Sequence, residues 1–141
     1  MKKIAVEFYS TQEVEGNKDV IEFMSLGSYE EDNGKIIIKY DECVALGVEN
    51  AKTTLTVSKD GVVTISRTGE VNNNLVIEQG KRHICQYQTL YGDITMGIYG
   101  DYVKNKLSLP KGSLKMQYTI DVNSSTLSKN KVDIKISEDE N

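Results

Sequence analysis

Leu114-Lys115-Met116-Gln117-Tyr118-Thr119-Ile120-Asp121-Val122 alternates apolar and polar side chains without a break. Successive side chains of a strand point to opposite faces. This stretch is therefore a strand with one face toward a core and one toward water. The same period of two recurs along the chain. Ile4, Val6 and Phe8 alternate with Ala5, Glu7 and Tyr9, and Val20 to Tyr29 reads as a strand containing Gly27. Further strands lie at Ile36–Tyr40, Thr54–Ser58, Val63–Arg67, Leu75–Ile77, Cys85–Tyr91, Ile94–Ile98 and Lys131–Ile136. No segment holds a 3.6-residue apolar period over a helical length. Eight to ten short strands with polar outer faces predict an all-β, antiparallel sandwich or barrel.

Turn residues punctuate the strands at Asn33-Gly34, Asp60-Gly61, Gly92-Asp93 and Lys111-Gly112, and Pro110 belongs to a turn. At Asp60-Gly61 the register follows from packing. A two-residue loop would set Leu55 and Val57 against Ser66 and Thr64, mixing apolar and polar groups on one face. A three-residue loop, Lys59-Asp60-Gly61 with Gly61 left-handed, pairs Val57 with Val63, Leu55 with Ile65 and Thr53 with Arg67. Only this register keeps the apolar residues together, so a glycine-bulge hairpin is predicted. At Asn33-Gly34 both loop lengths keep an apolar face. Gly27, Gly97 and Gly100 inside strands point to bulges or barrel corners.

Composition bounds the rest. A chain of 141 residues reads as one domain, residues 1–137, followed by a frayed acidic tail at 138–141. Its size buries enough surface to need no disulfide or metal staple. A net charge of -4 without a basic run argues against nucleic acid as a partner. No stretch approaches the roughly 18 apolar residues of a membrane span. Cys43 and Cys85 form no CxxC motif, and with His83 the only histidine no metal site is drawn. A cytoplasmic protein with free thiols is expected, and a Cys43–Cys85 disulfide stays open. No cofactor motif is present. The sequence leaves monomer and homodimer open.

The order Ile21-Glu22-Phe23, Gly27, Tyr29, Tyr40-Asp41-Glu42, Val63–Gly69, Tyr87-Gln88-Thr89-Leu90-Tyr91-Gly92, Gly112 and Tyr118 resembles the YwiB-like family of uncharacterised bacterial proteins. The resemblance runs from about Lys3 to Ile136 and rests most on Arg67-Thr68-Gly69 and the Tyr87–Gly92 block. It implies a calycin-like (lipocalin-like) antiparallel β-barrel with room for an internal cavity. It implies no activity and no catalytic residues.

One residue conflicts with its surroundings. Arg67 falls on the Val63/Ile65 face, where a charge needs an acid, a carbonyl cluster or a ligand anion. It can grip a carboxylate or phosphate through paired hydrogen bonds, pair with Glu42, which shares the Tyr40 face, or reach water at a rim. Tyr87, Thr89 and Tyr91 share a face and can line a pocket or pack as a cross-strand ladder. Asp41 and Glu42 point to opposite faces, so they form no catalytic pair, and Asp41 is solvated. His83 is expected in a loop, with Cys85 semi-buried and the two too far apart for nucleophilic catalysis. The expected function is binding of a small, partly apolar anion by Arg67, Glu42, Tyr40, Thr53, Tyr87, Thr89 and Tyr91, without catalysis. The alternative is a filled barrel that binds another protein through its outer wall.

Overall fold

All ten alternating segments form strands: β1 (Lys2–Val14), β2 (Asn17–Asp32), β3 (Lys35–Asp41), β4 (Lys52–Val57), β5 (Val63–Thr68), β6 (Asn73–Ile77), β7 (Arg82–Thr89), β8 (Gly92–Lys106), β9 (Lys111–Val122) and β10 (Ser125–Glu138). The structure, a computed structural model, describes residues 1–41, 52–69, 72–89 and 92–139, with the backbone alone at Thr89. Neighbours in sequence are neighbours in the wall, every ladder is antiparallel, and β1 pairs with β10 to close the barrel. The closing ladder sets Val6 opposite Ile136 and Phe8 opposite Ile134. Closure removes the free edge strands that an open sheet exposes. Among the described residues there is no helix, so none is long and apolar enough to cross a membrane.

Three of the connections follow from backbone conformation. Glu15-Gly16, Asn33-Gly34 and Asn123-Ser124 all have positive φ at both residues and join strands whose last pairs are Val14–Asn17, Asp32–Lys35 and Val122–Ser125. These are two-residue loops of the type whose twist matches a hairpin. The open choice at Asn33-Gly34 is thereby resolved to two residues. The β4–β5 hairpin has the predicted three-residue loop. Val57 pairs with Val63, Thr53 pairs with Arg67, Gly61 N donates to Ser58 O at 3.0 Å, and Gly61 has φ of 85°.

Two expected turns are displaced. β8 already begins at Gly92, which pairs with Thr89, so Gly92-Asp93 belongs to the strand and the link is 90–91. β9 begins at Lys111, which pairs with Ser137, and the β8–β9 connection is 107–110. Pro110 has no N–H to give a ladder, so pairing starts after it. β10 extends to Glu138, and Asp139 N donates to Lys3 O at 2.9 Å. Gly100 adjoins a bulge, since Asp101 is skipped between the pairs Gly100–Tyr118 and Tyr102–Gln117. A second irregularity skips Leu127 in β10. Each extra residue changes which later side chains face inward. Gly27 and Gly97, by contrast, sit in uninterrupted ladders.

The inner faces are mostly apolar, and the outer faces carry charged residues such as Glu7, Glu22, Lys39, Lys115 and Lys131. Arg82 of β7 crosses the outer face of β8 to reach Asp121 of β9 through two bonds of 2.9 and 2.6 Å. Gly97 lies beneath the guanidinium and leaves the space for it. The two charges stabilise each other's ionised form, holding the Asp121 carboxyl below its ordinary range. As a solvent-exposed pair it contributes little to stability.

The barrel is filled at the end that carries the β2–β3, β4–β5 and β8–β9 connections. There Val57, Val63 and Ile77 are neighbours on three consecutive strands, and Ile98, Leu114 and Met116 are fully buried on the facing wall. Tyr29 of β2 is buried between β1 and β3, and its hydroxyl donates to Glu31 Oε1 at 2.6 Å. Burial, then the hydrogen bond and the charge of Glu31, push the phenol up to about 12 from 10. The native state thus resists ionisation more than the unfolded chain does. This contribution is complete below pH 10 and is lost as pH rises toward 12. The urea midpoint should fall over that window, and Tyr29→Phe should remove that component of the fall.

Candidate functional site

The opposite end is not filled by the described residues. It holds a cavity of about 470 Å³ lined by Arg67, Tyr40, Tyr87, Tyr118, Ser128 and Asn130 among apolar residues including Leu55, Ile65, Leu75, Met96 and Ile120. That volume is in the range of small-molecule sites, which combine an apolar wall with a few polar groups.

The wall is built from two cross-strand rows. In the first, the ladders align Tyr40 of β3, Thr53 of β4, Arg67 of β5, Asn73 of β6 and Tyr87 of β7. The predicted β4–β5 register therefore does more than pair Thr53 with Arg67. It joins four of the expected site residues into one row. Tyr40, Thr53 and Asn73 are buried, and Arg67 and Tyr87 are half-buried. Among the described residues Asn73–Tyr87 is the single ladder pair between β6 and β7. Side chains tie the seam there: Asn73 Oδ1 accepts from Gln88 N at 2.7 Å, and Gln88 Oε1 accepts from Asn72 N at 2.9 Å.

The second row aligns Gly100 of β8, Tyr118 of β9, Asn130 of β10 and Gln12 of β1. Burial pushes the Tyr118 phenol above its ordinary range; the Arg67 charge opposes this and the neighbouring Tyr87 adds to it. Tyr118 is thus a neutral hydroxyl close enough to Arg67 to feel its charge. β5 and β9 are four places apart around the ring, so the two rows approach each other through the bore. Asn130 Nδ2 donates to Ser128 Oγ at 3.0 Å, both side chains being buried.

The structure thus brings Arg67, Thr53, Tyr40 and Tyr87 together. Glu42 and Tyr91 lie outside the described residues, as do Cys43 and the side chain of Thr89. Asp41 is exposed, as expected. Cys85 is a buried free thiol, deeper than the semi-buried position anticipated. His83 is not in a loop. It is half-buried in β7, and its Nε2 lies 2.9 Å from Glu78 Oε1. Gly80 turns the chain just before it, and Lys81 N donates to Glu78 O, which places Glu78 beside the ring. His83 and Lys81 hold the Glu78 carboxyl below its ordinary range. Among the described residues no group of three or more His, Cys, Asp or Glu converges as a metal site.

Tyr118, Ser128 and Asn130 were missed. Tyr118 had a signal, since it shares parity with Leu114, Met116 and Ile120. Ser128 and Asn130 continue the parity of Val132 and Ile134, but as polar residues they carry no apolar alternation.

Comparison with known proteins places this geometry in a family. The chain is 29% identical over 119 residues to the "Uncharacterized beta-barrel protein YwiB" of Bacillus subtilis (strain 168), covering 84% of this chain and 82% of that one. The crystal structure of the ywiB protein from Bacillus subtilis superposes with a TM-score of 0.84 at 23% identity, covering 98% of this chain and 92% of the other. It therefore shares the fold. The family profile described as "Domain of unknown function (DUF1934)" matches residues 6–134, and this chain belongs to that family of β-barrel proteins.

Proposed function

We propose that this protein binds a small, partly apolar anion in the unfilled half of the barrel, as a calycin-like carrier would. The observation that carries the reading is the cavity of about 470 Å³ with Arg67 and three tyrosines on its wall. Leu75, Ile65 and Ile120 offer apolar area to a hydrocarbon or ring. A guanidinium carries five donors in a planar fork, so an anion and protein acceptors can share it. The phenols of Tyr87 and Tyr118 can donate to the same anion. These groups supply hydrogen-bond donors and apolar area, which are the means of binding.

The test uses 3-phenylpropanoate and its neutral amide as probes, titrated by calorimetry. The carboxylate should bind saturably and more tightly than the amide. Arg67→Met should weaken the carboxylate by about ten- to a hundredfold, the equivalent of one charged hydrogen-bonded contact. Ile120→Phe, which fills the cavity and leaves Arg67 in place, should weaken both probes. Absence of saturable binding to wild type overturns the reading. So does an Arg67→Met protein that melts like wild type and binds the carboxylate equally well. Either result would shift attention to the outer wall, where Met24 and Leu26 are 69% and 68% exposed on β2.

A further inference from the structure

The polar groups of the cavity are not only donors. Arg67 and the tyrosine hydroxyls suit an anion, and a plain carboxylate would need nothing else. Yet the facing row carries Ser128 and Asn130, which are only 2% and 7% exposed. Buried amides and hydroxyls are costly unless hydrogen-bonded. Their mutual bond uses one N–H of Asn130 and one lone pair of Ser128. Among the described residues Asn130 Oδ1 accepts no hydrogen bond. Nor is it sealed away, because the one fully enclosed side-chain oxygen or nitrogen without a partner among those residues is Asp133 Oδ1. The Asn130 carbonyl is thus reached from the cavity that its side chain lines.

The backbone explains why it sits there. Skipping Leu127 in the β9–β10 ladder restores pairing at Ser128–Ile120, and the alternation then turns Ser128, Asn130, Val132 and Ile134 inward together. Asn130 pairs with Tyr118 across the ladder, and Tyr118 senses Arg67. An acceptor therefore lies across the ladder from the Tyr118 hydroxyl, on the wall of the cavity that Arg67 also lines. An alkyl carboxylate leaves such an acceptor unsatisfied. A ligand with an O–H or N–H next to its anionic group satisfies it.

We propose that the guest is an anion bearing an adjacent hydrogen-bond donor, of the α-hydroxy or N-acylamino acid class, with its anionic group on Arg67 and its donor on Asn130 Oδ1. The assignment rests on the binding reading above and adds the chemical class. Selectivity follows from the unpaired acceptor, since a site built to bond a ligand hydroxyl disfavours the analogue that lacks it.

The experiment compares 3-phenyllactate with 3-phenylpropanoate, which differ by one α-hydroxyl, on wild type, Asn130→Leu and Arg67→Met. Wild type should bind phenyllactate about five- to tenfold more tightly, as one added neutral hydrogen bond would give. Asn130→Leu keeps the branched outline of the side chain without its acceptor and should bring the two acids to equal affinity. Ser128→Ala serves as a second variant if Asn130→Leu melts early, and should reduce the preference. Arg67→Met should weaken both ligands alike. Binding of both acids without preference, or a preference that survives Asn130→Leu, overturns the donor class and leaves anion binding intact. Failure of both acids to bind wild type overturns both.

Discussion

Leu114→Ala should destabilise the protein by about 2–5 kcal/mol, the range for truncating a buried leucine. Leu114 is fully buried on the inner face of β9, between Asn105 of β8 and Ile134 of β10. It lies in the filled half, away from the cavity lining. The cost includes the lost transfer free energy and the void left behind, and the void closes only as far as its surroundings move. Here β9 is held by ladders on both sides in a closed ring, so relaxation is restricted. The urea midpoint should fall with no change in slope, as for a two-state domain that exposes the same surface. Val20→Ala is the contrast. Val20 is 54% exposed on β2, and its truncation should change stability by no more than about 0.5 kcal/mol.

Gly27→Ala should be comparably damaging for the opposite reason. Gly27 pairs with Ile4 on one side and Tyr40 on the other, and a Cβ there would run into the Lys39 carbonyl and the Tyr40 Cβ. These are parts of the neighbouring strand's main chain and its first side-chain carbon, not the tip of a side chain that can swing away. Overpacking of this kind costs about 1–3 kcal/mol. Because Tyr40 begins the polar row that ends at Tyr87, displacement of β3 should also weaken probe binding. Gly97→Ala separates crowding from simple loss of glycine. The three atoms nearest its added Cβ all belong to the Arg82 guanidinium, a flexible and exposed group. That variant should cost no more than about 1 kcal/mol, the worth of an exposed ion pair. If Gly27→Ala melts like Gly97→Ala, the close approach of β2 and β3 is not a constraint.

Much of the fold was legible because a half-buried antiparallel strand writes its orientation into every second residue. Val63, Ile65, Leu55 and Val57 admitted one register, and that register placed Thr53 against Arg67 before any tertiary contact was known. The turn signals were less informative. Asn33-Gly34 marks a real hairpin, whereas Glu15-Gly16 and Asn123-Ser124 adopt the same conformation without the familiar asparagine-glycine pair. Gly92 and Lys111 lie inside strands because pairing resumes as soon as the backbone can donate. His83 looked like a loop residue after Gly80-Lys81-Arg82, but the tight turn is complete at Gly80–Lys81 and β7 starts at Arg82.

The sequence by itself determined a barrel or sandwich of eight to ten antiparallel strands, the shared faces of those that alternate cleanly and the conflict at Arg67, all of which depend on residues close together along the chain. The tertiary structure decided three further things. Pairing of β1 with β10 closes the wall through residues more than a hundred positions apart, as in Ile4 opposite Glu138. Among the described residues, one half of the bore is filled while the other holds a cavity. And Tyr118 and Asn130 arrive opposite Arg67. None of these follows from alternation, because alternation fixes a side chain's face but not its height along the barrel or its neighbours across it. Strand number, the accumulated offset between ladders and the bulges at Asp101 and Leu127 set those, and they take effect only once the ring has closed.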